Sequence, residues 1–183
     1  MIMRRGIIIG IALTFFLSSV CWSAPIYNPA TGHWYDVVSS GSVQDGSWNS
    51  AESNAMALGG HLVTINDAAE ETWLRSTFGS STRYWIGFND AAVEGTWVWS
   101  SGEAVTYTNW ALGEPNNATP PPVGEDYAVL NWSGSAWNDW DHKRGDYFYI
   151  SGIAELKSVP EPMSMLLLGL GLVGLAGVSR RKF

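Results

Sequence analysis

The chain has 183 residues, a formal net charge of −7 and 46% apolar residues, enough for one domain of ordinary size once removable ends are subtracted. Its single cysteine, Cys21, lies in an apolar N-terminal run, which excludes an intramolecular disulfide framework and any paired-cysteine metal or redox site. With 10 basic against 17 acidic residues and no basic patch, the composition argues against nucleic acid as a partner.

Residues 1–24 open with Arg4 and Arg5, run through apolar residues from Ile7 to Val20 and reach small residues at Cys21, Ser23 and Ala24. That layout predicts a secretory signal peptide cut after Ser23 or Ala24. A lipidated cysteine is set aside, because Val20 and Ser18 stand where a lipoprotein signal carries a small and an aliphatic residue. Trp34 to Ser39 reads as a first strand. From Trp48 the apolar residues Trp48, Ala51, Ala55 and Leu58 recur at helical spacing, and Gly59 and Gly60 supply the stop. His61 to Ile65 alternates briefly, then Asp67 with Glu70 forms a capping-box pattern ahead of Trp73, Leu74 and Phe78, which predicts a second helix. Short strands follow at Tyr84–Phe88, Thr96–Ser100, Tyr127–Trp132 and Tyr147–Leu156. Between Asn109 and Asp126 the breakers Gly113, Pro115, Pro120, Pro121, Pro122 and Gly124 leave no room for regular structure; loops of that length in compact domains are functional or disordered. At the far end, Val159-Pro160-Glu161-Pro162 precedes 17 uncharged residues from Met163 to Ser179 and the basic Arg180, Arg181 and Lys182. That length sits at the lower edge of a membrane span, so the segment reads as a stop-transfer helix with its basic end cytoplasmic.

The stretch between the two ends carries five basic and sixteen acidic side chains, a net charge of −11, and ten of the 11 tryptophans. An acidic, aromatic-rich, cysteine-free domain of this size can bury a core unaided, and its clustered carboxylates invite a cation. Around the long loop stand Glu114 and Asn116, Glu125 and Asp126, Asn138 and Asp139. Carboxylate and amide oxygens without thiols or clustered histidines make a hard site, suited to Ca²⁺ with its six to eight oxygen ligands. A solvated acidic face is the alternative.

Six stretches then fall in one recognisable order: Trp48 to Ile65, Trp85-Ile86-Gly87-Phe88, Asn109-Trp110, Glu114-Pro115-Asn116, Gly124-Glu125-Asp126 and Trp137-Asn138-Asp139. Over most of residues 33–157 the chain resembles a C-type lectin domain, which implies an α+β fold of two helices flanking small antiparallel sheets with a long calcium-holding loop. The resemblance implies that Glu114, Asn116, Glu125, Asn138 and Asp139 hold one Ca²⁺, with Asp139 also using its main-chain carbonyl and with Pro115 cis. It places Asp90, Glu94, Asn117 and Asp126 as ligands of a second ion, with Asn117 standing where a carboxylate is commoner. In this family two neighbouring sugar hydroxyls join the ion's ligands, so Glu114, Asn116, Glu125 and Asn138 would bind sugar as well: carboxylates accept from a hydroxyl and amides donate to it. Glu-Pro-Asn resembles the version that selects equatorial 3- and 4-hydroxyls, as in mannose, glucose and N-acetylglucosamine.

Two departures from the family stand out. Its usual long-range cysteine pair falls at Ala55 and Ala154 and its inner pair at Tyr127 and His142, so a stabiliser of about 4.7 kcal/mol is missing. Asn116 to Glu125 is about three positions longer than in mannose-type relatives, with Pro120–Pro122 inside the extra length, which either bulges outward or displaces Glu125.

The Pro-Glu-Pro triplet, short glycine-studded helix and basic tail resemble the PEP-CTERM sorting signal of Gram-negative bacteria. That implies an exported or surface protein processed by a membrane exosortase, in species that secrete exopolysaccharide; the alternative is a plain single-span membrane anchor. The domains expected are a signal peptide over 1–24, a C-type lectin-like domain over 25–158 and the sorting signal with its transmembrane helix over 159–183. The function expected is calcium-dependent glycan binding, with protein binding by a surface matrix or adhesion protein as the alternative. Glu114 and Glu125 could pair as in a glycoside hydrolase, but calcium ligation keeps both ionised and leaves no proton donor, so no enzyme is expected. His33, His61 and His142 are isolated and read as surface or packing residues. Trp85, Trp97, Trp99, Trp110 and Trp137 read as core and loop supports, and Trp132 or Trp140 as a sugar-stacking platform.

Overall fold

A computed structural model of the chain describes residues 24–40, 46–118, 124–141 and 150–159. The predicted signal peptide and the C-terminal helix lie outside them. Among the described residues no helix is long and apolar enough to cross a membrane.

Ten elements follow one another: β1 (Ile26–Asn28), β2 (His33–Val38), α1 (Trp48–Ala57), β3 (His61–Leu62), α2 (Ala68–Phe78), β4 (Tyr84–Asn89), β5 (Val98–Trp99), β6 (Tyr127–Ser133), β7 (Ala136–Trp140) and β8 (Ser151–Leu156). Both predicted helices form. Ser47 caps α1 by accepting from the Ser50 N–H at 3.2 Å, and the chain leaves it through Gly59 at φ 87°. Asp67 caps α2 through the Ala69 and Glu70 N–H groups, each at 2.8 Å. Glu70 does not return to the cap's own N–H as in a capping box. It reaches one residue further, to the Asn66 N–H at 2.9 Å, and its other oxygen accepts from the Tyr35 hydroxyl at 2.8 Å, so a cap residue also ties α2 to β2.

The strands join in one sheet in the order β1-β2-β8-β4-β6-β7, with β3 beside β8 and β5 beside β4. β4 and β8 run parallel through Tyr84–Ser151 and Trp85–Gly152, which makes the sheet mixed, whereas β2 and β8 are antiparallel from Trp34–Leu156 to Val38–Gly152. Strand alternation sends neighbours to opposite faces: Trp85, Val129 and Ala154 pack with Trp48, Ala51 and Ala55 of α1, while Ile86, Leu130 and Ile153 pack with Tyr35, Leu74 and Trp137. On the second face Phe88 is ringed by Trp97, Trp99, Trp110 and Trp137 at centroid distances of 5.3, 4.4, 5.8 and 5.8 Å. The five tryptophans predicted as supports are thus packed as expected, with Trp85, Trp99 and Trp137 at most 2% exposed. Ala55 and Ala154, the positions without their cysteines, are fully buried in the α1 face.

The sheet centre is held by a close approach at Gly87. A Cβ there would lie 2.6 Å from the Leu62 carbonyl oxygen and 2.8 Å from Ser100 Oγ. The Gly87 N–H donates to the Val63 carbonyl at 2.9 Å and its carbonyl accepts from the Ser100 N–H at 2.8 Å, so neither neighbour can withdraw. Gly87→Ala should therefore lower stability by about 1–3 kcal/mol, the usual cost of overpacking, as measured by chemical denaturation; an unchanged midpoint would refute this packing.

Candidate metal and carbohydrate site

The β6–β7 hairpin pairs Tyr127 with Trp140, Ala128 with Asp139 and Val129 with Asn138, which sets Asn138 and Asp139 beside the entry to β6, where Glu125 and Asp126 stand. A short parallel bridge brings the preceding loop to the same place: the Trp137 N–H donates to the Asn109 carbonyl at 2.7 Å and the Ala111 N–H donates to the Trp137 carbonyl at 2.8 Å. A turn closed by the Glu114 N–H on the Ala111 carbonyl at 3.0 Å, with Gly113 at φ 93°, delivers Glu114. The Glu114–Pro115 peptide is cis.

The loop gathers four of the five first-set residues around the Glu114 carboxyl. Burial, contact with the Asp139 carboxyl and the charges of Asp139 and Glu125 push that carboxyl up to about 7, with a hydrogen bond from Asn116 acting the other way. The fifth, Asn138, is 5% exposed and donates its amide to the Asp139 carbonyl at 2.6 Å. Asp139, 1% exposed, accepts from the Asn117 N–H at 2.6 Å on one oxygen. Three buried oxygens, Glu114 Oε2, Asn138 Oδ1 and Asp139 Oδ1, have no hydrogen-bond partner.

Glu125 stands near enough to Glu114 for its charge to raise that carboxyl. Its carboxylate accepts from the Ala118 N–H at 2.9 Å and its own N–H donates to Asn117 Oδ1 at 2.8 Å, so the chain on either side of the insertion is stitched together. Pro120–Pro122 lie outside the described residues.

Buried acceptors without donors are costly unless a cation satisfies them. Hard oxygens of mixed carboxylate and amide type fit Ca²⁺. Among the described residues no three His, Cys, Asp or Glu side chains are grouped closely enough to hold a metal ion, Glu114, Glu125 and Asp139 included.

The second predicted set is grouped less completely. Asp90 is 3% exposed, accepts from the Gly95 N–H at 2.7 Å, donates its own N–H to the Asp126 carbonyl at 3.0 Å and keeps Oδ1 without a partner. Burial, opposed by the Gly95 bond, and the charges of Glu94 and Asp126 raise its carboxyl to about 6. Asn117, at φ 47°, lies beside Asp126 at Gly124, where an added Cβ would meet Asp126 Oδ1 at 2.8 Å and Asn117 Oδ1 at 3.5 Å. Its oxygen, however, is used by the Glu125 N–H.

Other side chains take supporting roles that spacing did not reveal. Glu71, 2% exposed, accepts from the Tyr107 hydroxyl at 2.7 Å, the Asn109 amide at 2.9 Å and the Trp137 indole N–H at 3.3 Å, which fixes the bridge that carries the loop. His33 and His61 are packing residues, each with Nδ1 at 2.6 Å from a glutamate, Glu155 and Glu52 respectively; His142 lies outside the described residues. Arg83 lies over the Trp132 ring at 4.2 Å and Trp140 packs against it at 4.5 Å, so Trp132 offers no open face on those sides for stacking.

A family model described as the Lectin C-type domain matches residues 44–148, and one described as the PEP-CTERM protein-sorting motif matches residues 158–182. A perlucin-like protein of Mytilus galloprovincialis is 32% identical over 147 residues, covering 75% of this chain and 92% of the relative. The carbohydrate-recognition domain of the human scavenger receptor C-type lectin superposes with a TM-score of 0.59 at 28% identity, covering 74% of this chain and 97% of that one. That of cow CD23, crystallised in the presence of GlcNAc2Man3 oligosaccharide, gives a TM-score of 0.59 at 25% identity, covering 78% and 98%.

The raised carboxyls have a consequence for the metal-free protein. Glu114 and Asp90 bind protons more tightly folded than unfolded, as does Glu70, whose carboxyl burial also raises. Their destabilising effect is complete above about 7, where Glu114 is ionised, and disappears towards the unfolded carboxylate values near 4. In chelator, the melting temperature should therefore rise as pH falls from 7.5 to 5.5; a fall over that window would show these carboxyls are not held apart from water and cation.

Proposed function

We infer, from a chain that belongs to the C-type lectin domain family and carries a PEP-CTERM sorting motif, that this is an exported bacterial protein binding glycans through calcium at the cell surface. The sorting motif implies export and exosortase processing. Lectin domains are as a rule not enzymes, and no catalytic role is proposed.

The observation that carries this reading is that buried oxygens of Glu114, Asn138 and Asp139, residues of the loop and of the strand beside it, have no donors. Glu114, Asn116, Glu125, Asn138 and Asp139 would hold a Ca²⁺ ion, and Asp90, Glu94, Asn117 and Asp126 a second. A bound calcium supplies open coordination positions for two neighbouring hydroxyls. The chain's own groups then complete those hydroxyls: the carboxylates of Glu114 and Glu125 accept their protons, and the amides of Asn116 and Asn138 donate to their lone pairs. Asn138 must release the Asp139 carbonyl to do so, and that carbonyl is thereby freed as a ligand. The Glu-Pro-Asn order supports mannose, glucose and N-acetylglucosamine as the sugar class. An extracellular glycan such as exopolysaccharide is the natural target, with single-site dissociation constants on the order of millimolar and useful strength from many copies.

Full-length protein should be retained on a mannose resin in calcium and released by EDTA. Glu114→Ala should weaken calcium binding at least about tenfold by calorimetry, since even outer partners of a metal site cost that much. Retention insensitive to chelator would instead favour a matrix protein that uses the fold to bind protein, and a preference for galactose on a glycan array would overturn the sugar class.

A further inference from the structure

The β6–β7 hairpin turns at Gly134 and Ser135, at the end away from Glu125 and Asp139. Between that tip and the segment 80–83, which leads into β4, lies an open cleft of about 640 Å³, a volume in the range of ligand pockets. The chain has a net charge of −7, yet the described lining of this cleft holds one charged side chain, the cation Arg83, and no carboxylate. Around Arg83 stand four hydroxyl side chains, Ser80, Ser81, Thr82 and Ser135. The local field therefore favours an anion where the rest of the surface repels one.

The hydrogen-bonding groups of the wall are biased in the same sense. The Thr82 carbonyl is already taken by the Asn131 amide at 2.7 Å, and the Ser135 carbonyl by Arg75 at 2.7 Å and Asn109 at 3.3 Å. Among the described residues nothing accepts from the N–H groups or the hydroxyls of Ser80, Ser81 and Thr82, all of them exposed. A wall whose carbonyls are engaged and whose N–H and O–H groups face water suits a ligand rich in acceptors. Arg83 is held in place by its neighbours: its guanidinium carbon stands 4.2 Å from the centre of the Trp132 ring and 5.7 Å from that of Trp140. Stacking occupies a face of the guanidinium, whereas its five N–H donors lie in its plane, so a stacked arginine still presents donors along its edge. The same contact restricts the side chain in advance, which lowers the entropy lost when a ligand is bound.

We propose that this cleft binds an acidic saccharide of the uronate class without calcium, its carboxylate pairing with Arg83 and its hydroxyl and ring oxygens accepting from Ser80, Ser81 and Thr82. The carboxylate matches the one charge of the lining, and Arg is the side chain whose fork fits a carboxylate through two parallel hydrogen bonds. A cleft of this volume has room for a sugar rather than for a lone ion, and the serine and threonine hydroxyls both donate and accept, as sugar hydroxyls require. The cleft and the calcium loop have opposite chemistry, a cation among donors at one end of the hairpin and a group of carboxylates at the other, and neither depends on the other. A domain that held an acidic polysaccharide at both ends would cross-link its chains.

Saturation-transfer NMR of the full-length protein, stripped of calcium on a chelating resin and titrated with tetragalacturonate, tests this directly. Binding should be seen without calcium, should weaken as NaCl rises from about 20 to about 200 mM, and should fall about tenfold or more for the methyl-esterified oligomer, which keeps its hydroxyls and loses its charge. Arg83→Gln, which removes the cation, and Ser81→Glu, which sets a carboxylate in the cleft from an exposed position, should each weaken binding by about tenfold or more. Thermal melts of both variants establish that they are folded. No transfer at about 10 mM oligomer, ten times a millimolar site, equal binding of the ester, undiminished binding in either folded variant, or full displacement by equimolar sulfate, which would leave a site for a bare oxyanion, would each overturn the proposal. Transfer that appears only when calcium is restored would also overturn it and leave the calcium-dependent lectin reading standing, whereas failure of that reading on the mannose resin would leave this cleft untouched.

Discussion

The pairing of Trp137 with the loop segment at Asn109–Ala111 is the constraint on which the candidate site depends. Asn138 and Asp139 belong to a strand and Glu114 to a loop 24 positions earlier, and nothing local fixes the distance between them. Two backbone hydrogen bonds at Trp137 do, and the Trp137 side chain is in turn fixed by Glu71. A loop ordinarily owes its mobility to unpaired backbone. Here its approach is made part of the sheet, so the acidic groups meet at strand precision although one of them is not on a strand.

The same device recurs where a disulfide is missing. Glu52, on α1, accepts from the Leu62 N–H at 2.8 Å, the His61 ring at 2.6 Å and Ser100 Oγ at 3.2 Å. Glu155, on β8, takes the Thr64 N–H at 2.9 Å and stands 2.6 Å from the His33 ring. Glu70 and Glu71 tie α2 to β2 and to the loop. Each glutamate joins elements far apart in sequence, as a disulfide would, but by charge-assisted hydrogen bonds that need no oxidant. Burying a carboxylate is costly, and these are tolerated because their oxygens are multiply satisfied by donors.

Much of this was legible in the sequence, and what escaped it shares one property. The helices were signalled by the spacing of Trp48, Ala51, Ala55 and Leu58 with the Gly59-Gly60 stop and by Asp67, whose capping chemistry is local, and the strands β2, β4, β6 and β8 by runs of β-branched and aromatic residues. The three-residue β1 is too short to show a period, and β7 was hidden because Ala-Trp-Asn-Asp-Trp reads as a ligand motif before it reads as a strand. The glutamate brackets could not be foreseen, since Glu71 meets Tyr107, Asn109 and Trp137 only after the sheet has formed. Glu70 was read as a cap and is also a tertiary tie for the same reason. At the site, the residue types and their order were visible; the bonds from Ala118 and to Asn117 that hold Glu125 across the insertion were not.

These two uses of acidic residues oppose each other in stability. Glu52, Glu71 and Glu155 have donors on their oxygens and hold the fold together, whereas Glu114, Asp139 and Asp90 each keep an oxygen that nothing in the chain satisfies. Replacing the second group by amides or apolar residues would relieve repulsion and strengthen the empty domain, as is common for residues selected for function. A ligand that binds only the folded state recovers that loss by mass action, by about 2.7 kcal/mol at a hundredfold excess over its dissociation constant. If calcium fills the site as proposed, a cysteine-free domain built this way would be at its sturdiest where divalent cation is abundant, outside the cell. The sorting motif at residues 158–182 directs the chain to that same compartment, so the stability of the fold and its destination call for one chemistry.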